Sequence, residues 1–429
     1  MYTEKVWIVY NNRFAKLKHL NMEQTGKQKI EWAQQYMPVL NAIRERFKKE
    51  KPLIGQRIGM ALHVEAKTAC LVHTLIAGGA KVYITGCNPL STQNDVAEAL
   101  RADGVDCYAQ RGSNREEYYA AIDKVLDAHP TLTIDDGMDL INRVHHDHRD
   151  VLSEIVGACE ETTTGIHRLR AMENSGKLEF PVIAVNDTPM KHYFDNVHGT
   201  GESVIASIML TTNVLMAGRH VVIAGYGYCG RGVATKARAL GARVIVTEIE
   251  PRRALQAHFD GFDVMCMDEA ATIGDLFITT TGNCNVITKR HFPMMKAGAI
   301  LSNAGHFNNE IEIAWLAKHA SRIVHRDGID TYVMNGKKIH LLAEGRLVNL
   351  ATPKSMGHPI EVMDLSFAVQ ALAIEYMAKP ERNLTIGVHD VPNEIDEQIA
   401  RLKLAAVGVT IDTLTNEQKD YMRSWDNGT

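Results

Sequence analysis

From Arg57 onward the chain alternates short β-branched runs with helical stretches, and this alternation most limits what it can fold into. RIGMALHV, KVYITG, GVDCYA, TLTIDDG and PVIAVND read as strands. Between them lie helical stretches at Ala66 to Gly78, Thr92 to Ala102 and Glu116 to Ala128. A helical run from Gly201 to Met216 leads into a second series, with RHVVIAG, RVIVTE, VMCM, LFITTTG and AILSNAG as its strands. Strands separated by helices of this length build parallel sheets covered on both faces. The pattern therefore predicts an α/β chain of two Rossmann-like, doubly wound halves, followed by a charged helical C-terminal stretch. No Pro/Gly/Ser-rich linker lies between the halves, so they should pack together.

VVIAGYGYCGRG places Gly225, Gly227 and Gly230 as G-x-G-x-x-G after a strand and at the opening of a helix. Gly225 permits a tight turn, Gly227 lets backbone approach a pyrophosphate, and Gly230 allows close helix–strand packing. The helix N-terminus offers free N–H groups and the positive end of its dipole. Glu248 ends the next strand, 23 residues after Gly225, where it would accept from ribose hydroxyls and repel a 2′-phosphate. This context predicts an NAD site. Arg252 and Arg253 weaken the preference over NADP a little.

Composition removes other classes. With 429 residues, 47 basic against 51 acidic side chains and no long basic run, the chain is a weakly acidic protein of two or three domains. Neither nucleic-acid binding nor polybasic membrane binding is expected. No apolar stretch reaches the ~18 residues of a membrane span. The seven cysteines are odd in number and form no C-x-x-C, which argues against a disulfide framework or zinc ribbon and for a reducing cytoplasm. The first twenty residues lack a signal-peptide pattern and read as a loose extension. His145, His146 and His148 in VHHDHRD suggest a metal cluster, but no acidic or Cys ligand follows at zinc-site spacing. A solvated helix face is the expectation there, and no metal is expected.

DDGMDL (135–140), EETTTG (160–165), VNDTPMKHYFDN (185–196), VVIAGYGYCGRG, NAGHF (303–307), LAEGRLVNL (342–350) and MGHP (356–359) together resemble the S-adenosylhomocysteine hydrolase family. The resemblance runs from about Pro52 to about Met377. It implies a substrate domain over 1–196 and 353–385, with 1–21 as the extension, an NAD domain over 197–352, and a helical tail over 386–429. It also implies a homotetramer and a redox route. NAD-dependent oxidation at the ribose C3′ acidifies C4′–H, elimination expels homocysteine, water adds, and re-reduction completes the turnover. Such a route suits an unactivated thioether, where no acyl or phosphoryl group can be polarised.

The matched motifs imply the roles. Lys191 and Asp195 hold the 3′-hydroxyl, and Lys191 accepts its proton, which requires a lowered pKa. Asp136 serves the C4′ proton, Glu161 the ribose hydroxyls, and Asn196 helps place nicotinamide and lysine. His63 and His306 lie at the leaving sulfur and the attacking water. Thr162, Thr163, Thr164 and Asn349 match NAD contacts, and Arg253 joins Glu248 at the cofactor. His358 is expected over the homocysteine end.

Three departures from the family pattern stand out. Many members carry His-x-Thr-x-Gln or His-x-Thr-x-Glu at the base site, whereas this chain has His63-Val-Glu65-Ala-Lys67, followed by Thr68. Lysine has donors and no acceptor, so Lys67 mismatches a 6-amino group and suits a 6-oxo group, while Glu65 could accept from N1–H of inosine. This form resembles a branch in archaea and some thermophilic bacteria, and implies S-inosylhomocysteine over S-adenosylhomocysteine as the preferred substrate. The alternatives are a Glu65–Lys67 pair with ordinary adenosine preference, a net NAD dehydrogenase, or a catalytically silent NAD-binding regulator. The second departure is Thr200, where many members have a cofactor-side cysteine. The third is an ending, RSWDNGT, without the usual Lys- and Tyr-bearing tail, which implies looser cofactor retention.

Overall fold

The computed structural model describes residues 21–382 and 384–426. The extension expected at the N-terminus lies almost wholly outside the described residues. Two sheets organise the rest. The first contains β1 (Arg57–Leu62), β2 (Lys81–Gly86), β3 (Asp106–Cys107), β4 (Leu132–Asp135), β5 (Gly157–Glu160) and β6 (Pro181–Ala184). The second contains β7 (His220–Ala224), β8 (Arg243–Thr247), β9 (Asp263–Val264), β10 (Leu276–Thr279), β11 (Ala299–Asn303), β12 (Arg322–Arg326), β13 (Ile329–Met334) and β14 (Lys337–Leu342). A last strand, β15 (Gly387–His389), returns to the first sheet beside β6.

The spatial orders are 3-2-1-4-5-6-15 and 9-8-7-10-11-14-13-12. Each sheet reverses direction once, between β1 and β4 and between β7 and β10. Ligands of open α/β sheets bind beyond the carboxyl ends of strands at such a switch point. Every pairing in the first sheet is parallel. The second sheet is parallel through β14, then ends in the antiparallel meander β14–β13–β12. That meander and β5 carry no clear signature in the sequence. β5 is four residues, GACE, fully buried and ending in an acid. VMCM is mostly not strand: only Asp263–Val264 pairs, and a helix begins at Met267.

Two helices place the chemistry. Pro189–Lys191 runs into a π-helical segment, His192–Gly199, and on into the α-helix Thr200–Thr212. Wider turns of this kind cluster at functional sites because they bring i+4 and i+5 side chains to one place. The helix Ile360–Ala378 is apolar all round, as a fully buried helix must be, and packs back onto the first sheet. Its buried polar residues each find a partner. Asp364 accepts from the backbone N–H groups of Val39 and Leu40, and Glu375 pairs with Arg46. No helix among the described residues is long and apolar enough to cross a membrane.

Candidate active site

The carboxyl ends of both sheets open on one cavity of about 740 Å³. His63 follows β1, Asp136 follows β4, Glu161 follows β5 and Lys191 comes soon after β6. Gly225 follows β7, Glu248 follows β8, and His306 follows β11. The site is thus a direct product of the strand order, and all these residues line the cavity.

Three groups converge at one end. Asp136 stands between two imidazoles, with Oδ2 3.4 Å from His63 Nε2 and Oδ1 3.4 Å from His306 Nδ1. The rings are 5.9 Å apart. Burial pushes His63 down to about 4, against the pull of Asp136, and lowers His306 as well. Both are neutral carriers able to pass a proton. Ser91 Oγ lies 2.7 Å and Cys87 Sγ 3.2 Å from His63 Nδ1, leaving Nε2 to face Asp136. The donor atoms of His63, Asp136 and His306 all lie within 4.8 Å of one another, the only such group among the described residues able to close on a cation.

Lys191 lies beside them, buried. Its Nζ is 2.8 Å from Asn196 Oδ1, 3.1 Å from Asn186 Oδ1, 3.2 Å from Asp195 Oδ1 and 3.9 Å from Glu161 Oε1. The π winding explains why Asp195 (i+4) and Asn196 (i+5) both reach it. From the returning helix, Ser366 Oγ donates to Asp195 Oδ2 at 2.8 Å and Gln370 Nε2 to Glu161 Oε2 at 2.5 Å. Burial opposes the charge on Lys191, but the carboxylates of Asp195 and Glu161 outweigh it and hold the ammonium above its usual range. This is opposite to the fall that proton acceptance requires. Burial pushes Glu161 up to about 8, while Lys191 and His358 overcome burial at Asp195 and keep its carboxylate well below the usual range. His358 Nδ1 sits 3.0 Å from Asp195 Oδ1, so this loop histidine backs the lysine cluster.

At the base end, Glu65 and Lys67 are both buried and paired at 2.7 Å. Lys67 Nζ also donates to the Met356 carbonyl at 2.8 Å, and Thr68 Oγ1 to the His63 carbonyl at 2.6 Å. The Glu65–Lys67 contact is thus present, and Lys67 has a further partner in the Met356 carbonyl.

The cofactor half fits NAD. Gly225 has φ +97°, open to glycine at little cost, and a Cβ on Gly230 would overlap the Gly225 carbonyl. Gly227 faces open space, its nearest neighbour Arg253, and caps the helix Tyr228–Ala239 without a side chain, so the first N–H groups remain free for phosphate. Glu248 is held by the Tyr226 and Ile249 N–H groups, each at 2.7 Å. Asn349 donates to Ser203 at 3.0 Å, while its buried Oδ1 has no hydrogen-bond partner, an acceptor ready for a ligand amide. Thr162, Thr163 and Thr164 complete this wall. Arg252 is turned to solvent on Glu250, and Arg253 alone of the two reaches the cavity. Thr200 Oγ1 lies 3.5 Å from Cys229 Sγ, so the glycine turn brings in a thiol that the linear motif does not reveal.

Sequence reasoning missed Asn186, Ser366 and Gln370. The last two had a signal: polar residues at i and i+4 on an otherwise apolar helix must find buried partners. The histidine run diverges. His145 is buried on the Ile141 carbonyl and beside Phe180, His148 reaches Asp123 at 3.0 Å, and His146 is exposed. The expected solvated face holds for only part of it.

Family comparison agrees with this geometry. Residues 14–150 match the family model of S-adenosyl-L-homocysteine hydrolase, and 196–355 match its NAD-binding domain. The S-inosyl-L-homocysteine hydrolases of Methanocaldococcus jannaschii and Methanosarcina mazei are each 56% identical. They cover 96% and 95% of this chain, and 99% and 98% of their own. The adenosylhomocysteinase of Halobacterium salinarum is 55% identical over 95% of this chain and 96% of its own. The chain belongs to the S-adenosyl-L-homocysteine hydrolase family and is an NAD-dependent thioether hydrolase.

Proposed function

We propose that the chain hydrolyses S-inosyl-L-homocysteine to inosine and L-homocysteine in preference to the adenosyl compound. The observation that carries this is the Lys67 ammonium. Of its three donors, one goes to Glu65 and one to the Met356 carbonyl, which leaves one for a ligand in the cavity that Lys67 lines. A 6-oxo purine accepts from that donor, whereas a 6-amino group meets it donor to donor. A buried unpaired polar group costs about 1–3 kcal/mol, or about tenfold and more in discrimination. The names of the two methanogen relatives support the reading; that of the halophile supports adenosine preference, in which the Glu65–Lys67 pair leaves adenine to backbone groups. Thiol release should give a kcat/KM at least about tenfold higher on S-inosyl- than on S-adenosylhomocysteine, and Lys67→Gln should narrow the ratio. Equal or better use of S-adenosylhomocysteine by the unsubstituted chain would overturn it.

Bound NAD supplies the hydride acceptor and donor for C3′. Glu161 receives the ribose hydroxyls. Lys191 and Asp195 meet the 3′-oxygen, and Lys191 takes its proton when a neighbouring cation lowers the lysine, since burial alone does not. Asp136 takes the C4′ proton, and neutral His63 and His306 carry protons for the leaving sulfur and the added water. Asn196 and Asn186 keep Lys191 aimed.

We also propose a cytoplasmic homotetramer. All seven cysteines are free, which suits a reducing compartment. Beyond Ala406 the C-terminal stretch leaves the body, exposing Val407, Val409, Ile411, Leu414, Tyr421, Met422 and Trp425. An exposed apolar series of this extent needs a partner, and a second copy of the chain suits it. Light scattering should give four chain masses, reduced by truncation after Ala406. A monomer, or a tetramer indifferent to truncation, would sink the idea.

A further inference from the structure

Beneath the two acids that face the cavity lies a carboxyl that the mechanism above does not use. β4 and β5 end in register, Asp135 opposite Glu160. Side chains alternate along strands, so Asp136 and Glu161 turn into the cavity while Asp135 and Glu160 turn under it. Both of the latter are fully buried. Asp135 has one amide per oxygen, from Asp136 at 2.9 Å and Ile141 at 2.8 Å. Glu160 is arranged differently. Its Oε1 accepts from Gly137 N–H at 2.8 Å and from Thr162 N–H at 3.0 Å, while buried Oε2 has no hydrogen-bond partner. Gly137 directly follows Asp136, and Thr162 directly follows Glu161. One oxygen therefore clamps the two turns that present the cavity acids. Gly165 makes the room, since a Cβ there would overlap the Glu160 carboxyl.

We propose that Glu160 is a positioning residue for the hydrolase reaction, a neutral buried carboxyl whose single oxygen holds Asp136 and Glu161 at a fixed separation. The proposal rests on the roles given above to those two acids. A carboxylate at this place would add a second buried charge beside Asp135, whereas the neutral form keeps Oε1 as the acceptor, carries its proton on Oε2 and sheds the charge. Burial, with Asp135 and Asp136 adding to it, pushes the group well above the usual carboxylate range.

Three variants test this. Glu160→Gln keeps the acceptor without charge and should retain kcat within about threefold, a conservative rescue. Glu160→Leu removes the acceptor, and Gly165→Ala pushes the carboxyl aside without removing it. Each should lower kcat by about 10²-fold, the scale of a 1 Å misplacement, with kcat falling far more than KM rises. A purely structural role would lower the melting temperature and leave the kcat of the folded, NAD-loaded enzyme alone. If Glu160→Leu fails to fold, the Gln and Gly165→Ala variants still decide. Wild-type kcat in Gly165→Ala or Glu160→Leu overturns the clamp, and a Gln variant as poor as the Leu variant overturns the neutral carboxyl. Failure of the proposed function is read separately, as absent thiol release by the unsubstituted chain.

Discussion

Replacing Lys191 with methionine should lower kcat by about 10³-fold, within the range that a positioned acid or base contributes. The side chain is buried and its Nζ meets two amide oxygens and a carboxylate within 3.2 Å, so the ammonium is held in one place. Methionine keeps the length and removes the proton. It also leaves Asp195 with His358 and Ser366 as its remaining partners, and breaking a buried pair in this way costs about 3 kcal/mol of stability. The measurements are therefore thiol release and thermal melting on the NAD-loaded protein. Lys191→Arg separates charge from proton transfer, because a guanidinium stays protonated at any working pH. The arginine variant should be as inactive as the methionine one. Activity restored by arginine but not by methionine would mean that Lys191 acts through charge alone, and near-wild-type kcat in the methionine variant would remove it from the mechanism.

Asp136→Asn is the second large effect. The amide keeps the shape but cannot accept a proton in the same way, and kcat should fall about 10³-fold. The pH profile should move as well, in a direction that can be worked out. Burial lowers both imidazoles, and the Asp136 charge opposes that shift. With the charge gone, His63 falls below its present value of about 4, and His306 falls with it. The acid limb of kcat/KM should therefore shift to lower pH. A stationary limb, or a kcat within tenfold of wild type, would mean that the Asp136 carboxylate neither moves the proton nor tunes the histidines.

Much of the fold was legible because its signals are local. β-branched runs with helical spacers specify parallel sheets, and the glycines of VVIAGYGYCGRG specify a turn whatever surrounds them. β5 was not legible, since four residues ending in glutamate match no strand pattern and pair only because β4 and β6 lie on either side. Nor was the antiparallel edge of the second sheet, whose strands look like any others until their partners are known. Among site residues, Lys191, Asp195 and Asn196 came from one contiguous motif, while Ser366, which supports Asp195, came from a helix about 170 residues later.

The ordinary, slightly acidic α/β chain thus determined by itself its class, its cofactor turn and the strand ends that carry Asp136, Gly225 and Glu248, because turn chemistry and strand period depend on neighbours in sequence. Only the tertiary structure decided that the carboxylates of Asp195 and Glu161 raise Lys191 against its burial, that Lys67 keeps one donor after serving Glu65 and Met356, and that Cys229 stands beside Thr200. The physical reason is shared. The charge state and free valence of a buried polar group are set by the dielectric and the partners around it, and those partners come from distant parts of the chain.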